Sequence, residues 1–129
     1  VVLSLQQLML LLRRVRRHEH PRTPLNPVIV WAVDHIEKHF HEPLPLAALA
    51  RGAGYSRFYL ARLFKQHTGL SVKQYILQRR IAAAKLLLRD APALTVLAVA
   101  RKTGFQEFAL FNRSFKKLTG TTPSGYRNF

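Results

Sequence analysis

The sequence predicts an all-α protein, and three observations carry that prediction. Apolar residues recur at three- and four-residue spacings over most of the chain, and no run alternates with the period of two that a half-buried strand would show. Glycines and prolines fall between those runs, where helices stop and start. The stretch RLFKQHTG (62–69) is written again as RSFKKLTG (113–120), with Arg, Phe, Lys, Thr and Gly unchanged.

Each element follows from local chemistry. Val1, Leu5, Leu8, Leu12 and Val15 form a heptad seam, which predicts a leader helix over residues 1–17. Two heptads alone are marginal, so this helix needs a partner, and a weak homodimer through residues 1–17 is expected. HEHPRTPLNP (18–27) has three prolines and no apolar period, and reads as a linker. Asn26-Pro27 reads as an N-cap followed by a first-turn proline. Ile29, Val33, Ile36 and Phe40 then share one helical face, with the helix ending near His41. A short helix is expected over Leu46–Gly52, with Leu46, Leu49 and Ala50 inward, and Gly54 suits the turn after it. Ser56 can cap a helix to about Gln66 with Leu60, Leu63 and Phe64 inward, closed by Gly69. Ser71 and Gln74 have capping-box spacing and open a long helix to about Arg89. Thr95 can cap a short helix holding Val96, Val99 and Ala100. Gly104 turns the chain, a helix from about Gln106 to Leu118 buries Phe111 and Phe115, and Thr122-Pro123 opens a last short one. This makes about seven helices plus the leader.

The repeat exceeds eight residues. LARGAGYSRFYLARLFKQHTG (49–69) pairs with VARKTGFQEFALFNRSFKKLTG (99–120), and Tyr75 pairs with Tyr126. Gly54 and Gly104 are 50 apart but Arg62 and Arg113 are 51 apart, so the second turn holds one extra residue. A short helix, a glycine turn and a longer basic helix describe a helix-turn-helix, whose second helix lies in the major groove of DNA. The first unit spans about 46–67, the connecting helix about 71–89, and the second unit about 95–119. The outward set of the first unit is Arg57, Phe58, Ala61, Arg62 and Lys65. That of the second is Gln106, Phe108, Ala109, Asn112, Arg113 and Lys116. A connecting rod of about 28 Å at 1.5 Å per residue approaches the ~34 Å between successive major-groove faces.

Charge points the same way. The chain has 129 residues, 48% of them apolar, with 21 Lys and Arg against 6 Asp and Glu, for a net charge of +15 and a pI near 11.5. That field attracts polyanions, nucleic acid first. The absence of cysteine removes disulfides, thiolate metal sites and thiol catalysis. VVLSLQQLMLLL is too short to span a bilayer and lacks the order of a signal peptide. A chain that starts at Val1 reads as a piece of something longer, and residues 1–26 as the remnant of a sensor or dimerisation domain.

Residues 27–129 resemble the DNA-binding domain of the AraC/XylS family of bacterial transcription regulators. The matching residues are LAALARGAGYSRFYLARLFKQHTGLSVKQYI and VARKTGFQEFALFNRSFKKLTGTTPSGYR. They include Gly104, Phe105, Phe111, Arg113, Phe115, Lys116, Gly120, Pro123, Tyr126 and Arg127. The resemblance implies two helix-turn-helix units joined by a long helix, binding to asymmetric promoter sites in double-stranded DNA, and activation through contact with RNA polymerase in the cytoplasm. It places base contacts at Phe58, Tyr59, Ala61 and Arg62, and at Phe108, Ala109, Asn112 and Arg113. The family commonly carries polar residues where Phe108 and Ala109 stand, and an acidic one where Ala98 stands.

Rival readings are weaker. His35 and His39 lie one helical turn apart and could share a metal, but HIEKH misplaces the acid of the H-E-x-x-H pattern. No catalytic residue, metal or cofactor is expected. The basic RRVRR after an apolar helix suits a membrane surface, but a solvated linker end or phosphate-contacting arm explains it better, and no membrane partner is expected. No sheet of the kind that stacks single-stranded RNA is visible.

Overall fold

Residues 26–128 are described by the computed structural model, and every regular element among them is a helix. The leader expected over 1–17 and most of the linker after it lie outside the described residues. The helices are α1 (Pro27–His39), α2 (Leu46–Ala53), α3 (Arg57–Thr68), α4 (Val72–Asp90), α5 (Val96–Lys102), α6 (Phe108–Thr119) and α7 (Pro123–Arg127). They form two units. Among the described residues, the first holds residues 26–39 together with Leu44–Tyr75, and the second holds Phe40–Pro43 with residues 76–128. The boundary falls inside α4.

The starts of these helices are built by the side chains that the sequence offers for them. The Asn26 side chain accepts from the Val28 N–H at 2.9 Å. Ser71 and Gln74 bond reciprocally, at 2.9 and 3.1 Å, and open α4. The Thr95 hydroxyl accepts from the Ala98 N–H at 3.0 Å, and the Thr122 hydroxyl from the Gly125 N–H at 3.0 Å. Each such cap contributes about 1 kcal/mol. Helix α1 stops at His39 rather than near His41. Pro43 disfavours helical geometry at the residue before it.

In the first unit, α1, α2 and α3 contact one another pairwise. Ile29, Ala32, Val33 and Ile36 of α1 are buried, as are Leu49 and Ala50 of α2 and Leu60 and Phe64 of α3. Tyr75 stands edge-on to Phe64, ring centroids 5.5 Å apart, and donates from its hydroxyl to Glu37 at 3.3 Å. In the second unit, Ile81, Ala84 and Leu88 of α4 share one core with Val99, Ala100, Phe105, Phe111 and Phe115. Truncating a buried phenylalanine in such a core costs about 3–5 kcal/mol.

The repeated sentence has a structural meaning. Tyr126 stands edge-on to Phe115 at 5.5 Å, as Tyr75 does to Phe64. The Thr68 hydroxyl donates to the Phe64 carbonyl at 2.8 Å, and the Thr119 hydroxyl to the Phe115 carbonyl at 2.7 Å. The N–H groups of Gly69 and Gly120 return to the Lys65 and Lys116 carbonyls at 2.9 and 2.8 Å, each glycine left-handed. Phe, Thr and Gly of the repeat therefore anchor and end a helix. Its Arg does neither of these, and its Arg and Lys both face outward.

Candidate nucleic-acid interface

Helix α3 begins at Ser56, whose hydroxyl accepts from the Tyr59 N–H at 3.2 Å. At 3.6 residues per turn, the buried Leu60 and Phe64 put Phe58, Ala61, Arg62 and Lys65 on the opposite stripe. Phe58, Arg62 and Lys65 are exposed, Ala61 half-buried. Arg57, exposed at the first turn, holds its guanidinium 5.2 Å from the centroid of the Phe58 ring. Tyr59 is half-buried between two neighbours: Tyr55 stacks on it at 4.8 Å, and the Arg62 guanidinium lies 6.0 Å from its centroid. Lys65 donates to the Gly69 carbonyl at 3.1 Å, so its ammonium sits at the C-terminal end of the helix.

Helix α6 repeats the stripe 51 residues on, with Ala109, Asn112, Arg113 and Lys116 at the positions of Phe58, Ala61, Arg62 and Lys65. Ala109, Arg113 and Lys116 are exposed and Asn112 half-buried. Of two further residues expected on this stripe, one lies ahead of it and one at its edge. The helix starts at Phe108, two residues later than the pattern suggested, and Gln106 is exposed in the bend ahead of it. Gln106 is the one extra residue of the second turn. Phe108 is exposed as expected, but it occupies the position of Arg57 at the edge of the stripe and stacks on the buried Phe111 at 6.2 Å. The N-cap is Glu107, whose side chain makes no capping bond.

Among the described residues, no carboxylate lies within ion-pair distance of Arg57, Arg62, Arg113 or Lys116. Cations with no carboxylate partner, in a stripe on an exposed helix face, are what a polyanion backbone requires.

Three residues have structural roles that the sequence did not reveal. Tyr55, half exposed, extends the aromatic ledge at the start of α3. Arg80 donates to the Phe40 and Glu42 carbonyls at 2.6 and 2.9 Å, and burial pushes its guanidinium below its usual pKa. Arg127 donates to the carbonyls of Leu88, Ala91 and Leu94 and so holds the end of α4 and the turn into α5. Partners 33 to 40 residues away leave no local signal.

The other chemistries find little. His35 and His39 bring their rings to 4.5 Å, but no group of three or more His, Cys, Asp or Glu among the described residues could hold a metal ion. No helix among them is long and apolar enough to cross a membrane.

Comparison with known proteins places this geometry. Residues 49–128 match the model of a helix-turn-helix domain family. The Tn10 transposon protein TetD of Escherichia coli is 37% identical over 105 residues, covering 81% of this chain and 72% of TetD. The right origin-binding protein of Escherichia coli K12 is 35% identical over 103 residues, 80% of this chain. The chain spans only about a third of that protein, 34%. Among solved structures, the DNA-binding domain of the global transcriptional factor AdpA, in complex with a target DNA, superposes with a TM-score of 0.75 at 27% identity, covering 80% of this chain and 92% of that one. The family's members regulate transcription and are not enzymes. Helix order, paired reading helices and these matches together make the chain a member of the AraC/XylS family of transcription regulators, carrying that family's two-unit helix-turn-helix DNA-binding domain.

Proposed function

We propose that the chain binds promoter DNA by laying α3 and α6 into successive major-groove segments of one asymmetric site, and that it activates transcription there through contact with RNA polymerase. One observation carries the reading: the outward stripe Phe58, Ala61, Arg62, Lys65 recurs as Ala109, Asn112, Arg113, Lys116. Arg62 and Arg113 are the guanine readers of the two stripes. Arg57, Lys65 and Lys116 grip phosphate, Tyr59 and Phe58 line the bases of the first half, and Ala109 and Asn112 those of the second. Gln106 and Phe108, at the mouth of α6, meet the backbone beside it. Helix α4, with 19 residues and about 28 Å of rise, supports a spacing of one helical turn between the half-sites. The similarity to the AdpA domain, solved in complex with a target DNA, supports DNA as the partner. The protein acts in the cytoplasm, on the nucleoid, and residues 1–17 associate weakly with a second copy.

Selection of duplexes from a random pool, followed by footprinting, tests this. Two half-sites about one turn apart on one face are expected. A single half-site, or no enrichment, overturns the proposal. Transcription with purified RNA polymerase from a promoter bearing the selected site should rise on adding the protein. A fall would make the protein a repressor.

A further inference from the structure

Phe58 is the most exposed large hydrophobic side chain among the described residues, at 76%. The core of its unit does not use it, because Leu60 and Phe64 point the other way. Its surroundings are specific: Arg57 lies against the ring at 5.2 Å, and the Tyr55–Tyr59 stack adjoins the same turn. The major groove offers such a ring one apolar group, the C5 methyl of thymine. Cytosine has only hydrogen at C5, but 5-methylcytosine presents the same methyl group at the same place. A residue that hydrogen-bonds would tell the thymine O4 acceptor from the cytosine N4 donor. A phenyl ring has neither donor nor acceptor and cannot.

We infer that Phe58 reads the C5 methyl group itself, so that the first half-site accepts thymine or 5-methylcytosine at one position and disfavours unmodified cytosine. Cytosine methylation then tunes binding. The inference rests on the proposed docking of α3 in the major groove. The second head carries Ala109 at the matching position, a far smaller apolar surface, so the methyl dependence belongs mainly to the first half.

The test uses the full chain and three random duplex pools: ordinary DNA, DNA with deoxyuridine replacing thymidine, and DNA with 5-methylcytosine replacing cytosine. The ordinary pool should yield thymine at one position of the first half. The deoxyuridine pool should lose that preference, and a single dT-to-dU change in the selected site should weaken binding about fourfold, the value of one buried methyl. The 5-methylcytosine pool should recover cytosine alongside thymine there. Phe58→Ala should abolish all three effects and leave the second half unchanged. Phe58→Leu should keep part of the methyl dependence. A thymine preference that survives in the deoxyuridine pool overturns the inference, as does methyl dependence that survives in Phe58→Ala. No sequence enriched from any pool instead overturns the parent reading of α3, and this inference with it.

Discussion

Arg127→Ala tests how the second reading head is held. The guanidinium donates to Leu94 at 2.6 Å, Leu88 at 3.1 Å and Ala91 at 3.3 Å. The Leu88 carbonyl is among the last four of α4, which lack partners within the helix. A hydrogen bond from a charged donor is worth about 1.5–3 kcal/mol net. The longest of the three contributes least, and the half-buried site lets water reach the carbonyls once the side chain is gone. The loss should therefore total about 2–3 kcal/mol, well below the sum of three bonds. Urea denaturation followed by circular dichroism is the assay. With a slope of about 1–3 kcal/mol per molar, the midpoint should fall by about 1–2 M. Arg127→Lys places one ammonium where three donors stood, and should recover only about a third of the loss. A midpoint shift below about 0.3 M for Arg127→Ala would refute the assignment of these bonds as the anchor. Binding to the second half-site should weaken before binding to the first.

Arg62→Ala and Arg113→Ala should each cost about 1–3 kcal/mol of affinity and relax base preference in one half-site only, measured by fluorescence anisotropy on singly substituted duplexes. Uniform weakening on all sequences would reassign them to phosphate. Lys65→Ala should instead lower the slope of log affinity against log salt by about 0.9 and leave preference alone. Ala109→Gln adds an amide able to read adenine, and should sharpen the second half without moving the salt slope. Gly54→Ala and Gly104→Ala should differ by thermal denaturation, though both glycines have positive φ. A Cβ at Gly54 meets nothing within 4 Å, leaving about 1–2 kcal/mol of left-handed strain. At Gly104 it would meet Arg80 Nε at 2.8 Å and the Phe40 carbonyl oxygen at 2.9 Å, so this variant should lose clearly more.

Most helices were legible because their starts are written locally. Ser56, Ser71 with Gln74, Thr95 and Thr122 each bond an N–H three residues on, a distance that spacing alone reveals. The reading of Leu60, Phe64, Phe111 and Phe115 as inward holds for the same reason, since helical period fixes a face. The start of α6 was harder. No side chain caps it, and the extra Gln106 shifts the register of the repeat just there; Phe108 is exposed as its position suggests, but its ring also stacks on Phe111, a contact the spacing does not reveal. The roles of Arg80 and Arg127 were hidden altogether. A guanidinium that bonds carbonyls from a distant segment looks, in sequence, like any other surface cation on a basic chain.

Helix α4 has two owners. Ser71 and Gln74 nucleate it beside the first unit, and Arg127 closes it from the end of the second. Anyone who wishes to recombine reading heads between relatives must respect that joint ownership. A crossover at Tyr75, where the two units divide, would join a start from one parent to a stop from another, and would also separate Ile81, Ala84 and Leu88 from the four residues ahead of them in their own helix. Crossovers ahead of Ser71, or beyond the Ala91–Leu94 turn together with the matching Arg127, keep each rod whole. A cut at either end of the rod must therefore also carry the core partners that face each other across it, Tyr75 with Phe64 at one end, and Ile81, Ala84 and Leu88 with Val99, Phe111 and Phe115 at the other.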